Sequence, residues 1–328
     1  MSRAAPRILI TGISGQDGSY LAELLCAQGA EVHGTVRPPL ERARPNLAAV
    51  SDRVVLHAVE LGIPGVLAAL VSELLPDEIY HLASPAFVPQ SWREPASAIR
   101  EIAGSGAELL EAVRDSVPEA RIVLASSREI FGAGAPSPQD ETAVKNPSSP
   151  YGVGKLAVHE LTGLMRAREG LHASSAILYN HESPRRRAEF ISRKVTRAAA
   201  AIKLGLDQEI VLGDLSAVRD WSAATDIVGG LVAMARAQAG GDYVLASGVG
   251  RTVRELVTAA FAVVSIEPDP YLRVDQRFVR PPEPSSPVGN PSRARSELGW
   301  SVTRPFENLI AEMVRADLAE LEAGATRS

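Results

Sequence analysis

Thr11–Gly18 reads TGISGQDG, held between the apolar run RILI (7–10) and SYLAELLCAQGA (19–30), where apolar residues recur at helical spacing before Gly29. Gly12, Gly15 and Gly18 therefore stand at G-x-x-G-x-x-G spacing in a loop that joins a short strand to a helix. Glycines there permit a tight turn, let a pyrophosphate approach the backbone, and bring the helix close to the sheet. The helix N-terminus then favours the anion. The stretch predicts a dinucleotide-binding turn, with Gly12, Ser14, Gly15, Gln16, Asp17 and Gly18 around the cofactor.

Working outward, EVHGTV (31–36) and VVLHAVEL (54–61) read as strands, and VLAALVSELLPDEIYHLAS (66–84) as a helix running into another strand. GAELLEAVRDSV (106–117) is a further helix and RIVLASS (121–127) a strand. A helix begins near Pro150, and SSAILYN (174–180) is a buried strand. This alternation predicts an α/β fold, a Rossmann-type doubly wound parallel sheet with a smaller C-terminal α/β substrate lobe. We expect residues 1–180 to form the cofactor domain, with parts of 210–250 returning to it, and 181–328 to form mainly the second lobe. Proline and arginine crowd the chain from about residue 265 to Ser292, which predicts loops able to cover a cleft.

The 328 residues carry a formal charge of −5, with 45% hydrophobic and 22% charged residues, a globular composition. No long basic run is present and Arg185, Arg186 and Arg187 are too few to bind a phosphate backbone, so no nucleic-acid partner is expected. Cys26 is the single cysteine, so no internal disulfide forms, and no Cys/His cluster suggests a metal. No stretch reads as a leader or a membrane span, and we expect a soluble cytoplasmic protein without a membrane partner.

The second strand ends HGTVRPP, with Arg37 where an NAD site usually offers an acid. A guanidinium suits a 2′-phosphate, so NADP is expected ahead of NAD. In SPYGVGK, Tyr151 and Lys155 stand at i, i+4 on one helix face. The ammonium, reinforced by an oxidised nicotinamide, would lower the phenol and make Tyr151 a usable base. Ser127, in ASSREIFG (125–132), would hydrogen-bond the reacting oxygen beside it.

Together these residues resemble the extended short-chain dehydrogenase/reductase family that acts on nucleotide sugars, most of all its GDP-mannose 4,6-dehydratase branch. The likeness runs through ILITGISGQDGSYLAELL, NHESPRR, EFISRKVTRA, LGDLSAVRDW, YVLASG with TVRELV, VDQRFVRP and NPSRARSELGW. It implies that Tyr151 takes the sugar 4-hydroxyl proton as hydride leaves C4 for NADP⁺. Glu129 then removes the C5 proton and assists loss of the C6 hydroxyl as water, and hydride returns to C6 to give a 4-keto-6-deoxy sugar. It also implies cofactor contacts at Glu60, Leu61, Leu82, Ala83 and Ser84, and substrate contacts at Asn180, Glu182, Arg185, Lys194, Arg219, Arg280 and Glu283. The alternatives are a 4-keto nucleotide-sugar reductase or epimerase, which needs no base at C5, and a catalytically silent nucleotide-binding homologue.

The sequence departs from the branch in four places. Arg128 replaces a small polar residue beside Glu129; as strand neighbours alternate faces, it either engages Glu129 or points away. Pro85, Ala86 and Phe87 stand where a polar Gln-Ser-His stretch is expected near the sugar, and Glu60 replaces an aspartate near the adenine. PPLERARPNL replaces the Arg- and Ser-rich loop that contributes to tetramers, so a homodimer is expected before a tetramer.

Overall fold

The computed structural model describes residues 5–275, 277 and 286–325. The described residues form twelve strands, β1 Arg7–Thr11, β2 Glu31–Val36, β3 Val54–Ala58, β4 Glu78–His81, β5 Arg121–Ala125, β6 Ala173–Leu178, β7 Asn180–Glu182, β8 Ile210–Leu212, β9 Val218–Ala223, β10 Asp242–Leu245, β11 Gly250–Thr252 and β12 Leu272–Val274. The main sheet has seven strands in the order β10-β6-β5-β4-β1-β2-β3. Every pairing in it is parallel. Parallel strands covered on both faces need apolar residues throughout, and Ile8, Leu9 and Ile10 of β1 are accordingly buried without alternation.

The helix Gln16–Ala27 packs beside the helix Ala224–Ala235 on one face, where Leu21, Leu25, Ile227 and Leu231 join one core cluster. The other face carries Leu67, Val71, Leu109, Val113 and Val158, from the helices Val66–Leu74, Ser105–Ser116 and Pro150–Glu169. The strand order reverses between β1 and β4, which opens a crevice at their carboxyl ends. That crevice is where the sequence places its glycine turn.

The long helix Pro150–Glu169 starts where the Pro150 reading puts it: the Ser149 hydroxyl accepts the Gly152 N–H at 3.1 Å, Pro150 opens the first turn, and Gly170 ends the helix at φ 72°. The predicted third strand is shorter than VVLHAVEL, because β3 ends at Ala58 and Glu60 and Leu61 lie in the following turn.

Past residue 180 the chain builds a second core from the helices Ile191–Lys203, Val253–Val263 and Phe306–Ala325, with Phe261, Ile310 and Met313 fully buried. A three-stranded sheet, β11-β9-β7, and a two-stranded one, β12-β8, complete it. Within 210–250, the helix Ala224–Ala235 and β10 pack with the main sheet, whereas β8 and β9 stay in this second part.

Candidate active site

The glycine turn has the form a dinucleotide needs. Gly12 sits at φ 72°, and a Cβ there would lie 3.0 Å from the Ala83 backbone. At Gly18 a Cβ would lie 2.4 Å from the Gly12 carbonyl oxygen, so only glycine lets the helix start this close to the loop. Gly15 caps the helix Gln16–Ala27 with no side chain bonded to the end, which leaves first-turn N–H groups available to an anion. The residues fit a pyrophosphate in this cradle.

Behind the cradle runs a chain of bonds that the sequence reading missed. Thr11 Oγ1 accepts the N–H groups of Leu82 and Ala83, each at 3.2 Å, and meets His81 Nδ1 at 2.8 Å. His81 Nε2 meets Ser105 Oγ at 3.1 Å, and Ser105 donates to the Glu101 carbonyl at 2.5 Å. Because Thr11 Oγ1 already accepts two bonds, its own proton goes to His81 Nδ1, and His81 donates through Nε2. Burial first, then the Lys155 charge, pushes His81 down to about 3, which keeps the ring neutral as this chain requires. The network ties β1 to β4 at the crevice.

The stretch after β5 turns, rather than continuing as a strand. Arg128–Ile130 is one 3₁₀ turn, with the Ser127 side chain accepting the Glu129 N–H at 3.3 Å. Strand alternation therefore does not govern this segment. Arg128 does not point away: its Nη2 lies 2.6 Å from Glu129 Oε1, and both side chains are largely buried, 11% and 19% exposed. Ser127, Glu129 and Tyr151 nonetheless come together, since after burial Ser127 and Glu129 shift the Tyr151 phenol most, Ser127 lowering it and Glu129 raising it.

The expected lowering of that phenol by Lys155 is not what the geometry gives. Burial pushes Tyr151 up to about 12; the Ser127 hydrogen bond offsets part of this, Glu129 adds to it, and Arg186 lowers it. Lys155 Nζ instead donates to the Ala125 carbonyl at 2.7 Å and lies 5.8 Å from the Tyr151 ring centroid. Burial pushes this ammonium down to about 8. Lys155 thus fastens the Tyr151 helix to the end of β5.

The block NHESPRR is fastened onto the glycine turn. His181 Nε2 meets Asp17 Oδ2 at 2.8 Å, Gln16 donates to the His181 carbonyl at 3.0 Å, and Ser183 donates to Gln16 Oε1 at 2.8 Å. Burial opposes both charges, yet each stabilises the other: Asp17 is held below the usual carboxylate range and His181 above the usual imidazole range. Arg185 donates to Ser19 at 3.0 Å and Glu23 at 2.5 Å, with its guanidinium 4.0 Å over the Tyr20 ring. Glu182 is 1% exposed, bonded by Ser192 at 2.5 Å and ion-paired with Arg186 at 3.2 Å. These side chains hold the block and the first helix together, and Arg186 is the one whose charge reaches both Tyr151 and Asp17. The sequence offered Arg186 as one of three consecutive arginines and as the last residue of the NHESPRR block, with no role of its own.

The other expected residues fall in separate places. Arg37 follows β2 and is 65% exposed, 3.2 Å from Glu101 and 3.5 Å from Glu60. Leu61 packs against the core under the sheet, Leu82 against the opposite one, and the Ser14 carbonyl accepts from Asn46 at 2.9 Å. Asn180 pairs with Trp221 in the β7 and β9 ladder, Lys194 donates to the Val211 carbonyl at 2.5 Å, and Arg219 to the Val218 carbonyl at 2.6 Å. Arg280 and Glu283 lie outside the described residues. Among the described residues no cluster of metal-ligating side chains occurs, and no helix is long and apolar enough to cross a membrane.

The chain is similar to known proteins along nearly its whole length. The sequence pattern of the family described as GDP-mannose 4,6 dehydratase matches residues 9–313. The chain is 39% identical to GDP-mannose 4,6 dehydratase 2 of Arabidopsis thaliana, over 94% of this chain and 86% of that one. It is 36% identical to GDP-mannose 4,6-dehydratase of Yersinia enterocolitica, over 97% and 95% respectively. In fold it is similar to the UDP-glucose 4-epimerase of Thermus thermophilus, solved with NAD, at TM-score 0.82 and 23% identity over 95% of this chain and 98% of that one. The dTDP-glucose 4,6-dehydratase of Bacillus anthracis, also solved with NAD, superposes at TM-score 0.83 and 17% identity, over 97% and 98%. The glycine cradle, the Ser127–Glu129–Tyr151 meeting point and the match along nearly the whole chain converge: this chain belongs to the GDP-mannose 4,6-dehydratase family of lyases, within the extended short-chain dehydrogenase/reductases.

Proposed function

We propose that this protein is an NADP-dependent nucleotide-sugar 4,6-dehydratase that converts GDP-mannose, or a close GDP-hexose, to the 4-keto-6-deoxy sugar. The feature that carries the reading is Glu129 on the 3₁₀ turn two residues from Ser127, where both side chains act on the Tyr151 phenol. A bound nicotinamide supplies a reversible store for the hydride of the sugar C4. Gly12, Gly15 and Gly18 hold the pyrophosphate, and Arg37 takes the 2′-phosphate. The exposed pairs of Arg37 with Glu60 and Glu101 are each worth at most about 1 kcal/mol, so a phosphate dianion can displace them.

Tyr151 removes the 4-hydroxyl proton, with Ser127 bonded to the same oxygen. Arg186 and the Ser127 hydrogen bond favour the phenolate that accepts this proton, against the burial that raises the phenol. The resulting ketone acidifies C5, where Glu129 takes the proton and assists departure of the 6-hydroxyl as water. Asn180, Lys194, Arg219, Arg280 and Glu283 are assigned to the nucleotide-sugar. Glu182 and Arg185 are reassigned to fastening the block beneath it.

Incubation with GDP-mannose and the oxidised cofactor should give a product lighter by one water, read by mass spectrometry. No water loss from GDP-, UDP-, CDP- or dTDP-hexoses would sink the proposal. The guanidinium 2.6 Å from Glu129 favours one second reading, a reductase or epimerase that needs no base at C5. Under it Glu129→Gln leaves turnover nearly intact while Tyr151→Phe abolishes it. Sedimentation of the purified chain should show the expected homodimer.

A further inference from the structure

The departure at Phe87 has a partner in the second part of the chain. Phe87 and Phe190 meet edge to face, with centroids 6.0 Å apart and ring planes at 82°. The Arg186 guanidinium lies 3.6 Å over the Phe190 ring. Phe87 caps the helix Val88–Arg93, and Ser91 of that helix accepts the backbone N–H of Tyr151 at 3.2 Å. The aromatic pair therefore spans from the element resting on Tyr151 to the arginine whose charge reaches its phenol. Both rings remain partly exposed. Neither offers a hydrogen-bonding group, so a sugar set against them is met by apolar surface.

We infer that Phe87 is a specificity-determining residue which, with Phe190, packs against a C–H face of the hexose, so that the ring hydroxyl on that side goes unread. This rests on the hexose-nucleotide reading above. A site that hydrogen-bonds a hydroxyl rejects the analogue lacking it by about 10⁴-fold, whereas an apolar wall discriminates by about 10- to 200-fold. The protein should consequently tolerate loss of one hydroxyl, at C2 or C3.

The test is titration calorimetry on the full chain carrying Tyr151→Phe and loaded with oxidised cofactor, with GDP, GDP-mannose and its 2-deoxy and 3-deoxy analogues as ligands. One deoxy analogue should bind within about tenfold of GDP-mannose. Phe87→Ala should weaken GDP-mannose and that analogue by about tenfold, leaving GDP within about twofold. Phe87→Leu, which keeps bulk and guards against misfolding, should weaken the same two ligands by about threefold. If either variant weakens GDP and the GDP-hexoses equally, or neither moves hexose affinity, the wall does not exist. Rejection of both deoxy analogues by 10³-fold or more would overturn it as well. Water loss is scored separately on the unaltered protein, so that failure of the dehydratase reading with these affinity shifts intact is distinguishable from failure of the wall.

Discussion

Lys155→Met provides a direct reading of how deeply the fold buries the ammonium. Lys155 is 5% exposed, and burial alone moves it from 10.5 to about 8. The unfolded chain therefore binds more protons than the native one between those values. Stability must rise with pH through that window, since the depressed base is charged at a cost below about 8 and neutral in the fold above it. At about 1.4 kcal/mol per pKa unit, the gain between pH 7 and pH 9.5 is about 2 kcal/mol. With an unfolding entropy of about 2.1 cal/mol/K per residue over 328 residues, this corresponds to a rise of about 3 °C in Tm relative to the variant.

The assay is calorimetric unfolding of both proteins, without cofactor, at several pH values in that range. It stops short of pH 10 because Tyr80, Tyr151 and Tyr179 are all raised by burial, and above their unfolded values they make stability fall. The comparison is between slopes, so other titrating groups cancel. Identical pH slopes in the two proteins would refute the argument that Lys155 is held desolvated on the Ala125 carbonyl.

Other outcomes test neighbouring parts of the molecule. Gly18→Ala puts a Cβ 2.4 Å from the Gly12 carbonyl oxygen and 2.7 Å from Ile13 Cα, both backbone, and should destabilise by about 1–3 kcal/mol and weaken dinucleotide binding in a fluorescence titration. Unchanged affinity would remove the cradle from the reading. Arg128→Ser releases Glu129 from the guanidinium 2.6 Å away and should speed water loss by about tenfold at unchanged cofactor affinity; a slower variant would show instead that the ion pair is needed for the reaction. Asp317 is fully buried on the C-terminal helix, 2.7 Å from Arg193, which also donates to the Pro184 and Arg186 carbonyls. Asp317→Asn should cost about 3 kcal/mol in urea unfolding, at the lower end for a broken buried pair because Glu320 remains 2.9 Å from Arg193. A cost under about 1 kcal/mol would show that the pair does not anchor the NHESPRR block.

What the sequence determined by itself was whatever depends on short-range rules. The spacing of Gly12, Gly15 and Gly18, the alternation of strands and helices up to residue 180, and the helix start near Pro150 all encode local backbone geometry; they are present, with β3 and β5 ending short of the runs read for them. Tyr151 and Lys155 lie on one helix face for the same reason, because an α-helix repeats every few residues whatever surrounds it. What Lys155 and Arg128 do there was not legible. Each side chain answers to an atom placed by tertiary packing or by a turn that replaces a strand: the Ala125 carbonyl at the end of β5, and Glu129 across one 3₁₀ turn. The same holds for the distant pairs Asp17 with His181, Phe87 with Phe190 and Arg193 with Asp317. Periodicity reports which face a residue occupies, but a charge or a ring acquires its role only from what the fold sets opposite it, and long-range partners leave no regular spacing in the chain.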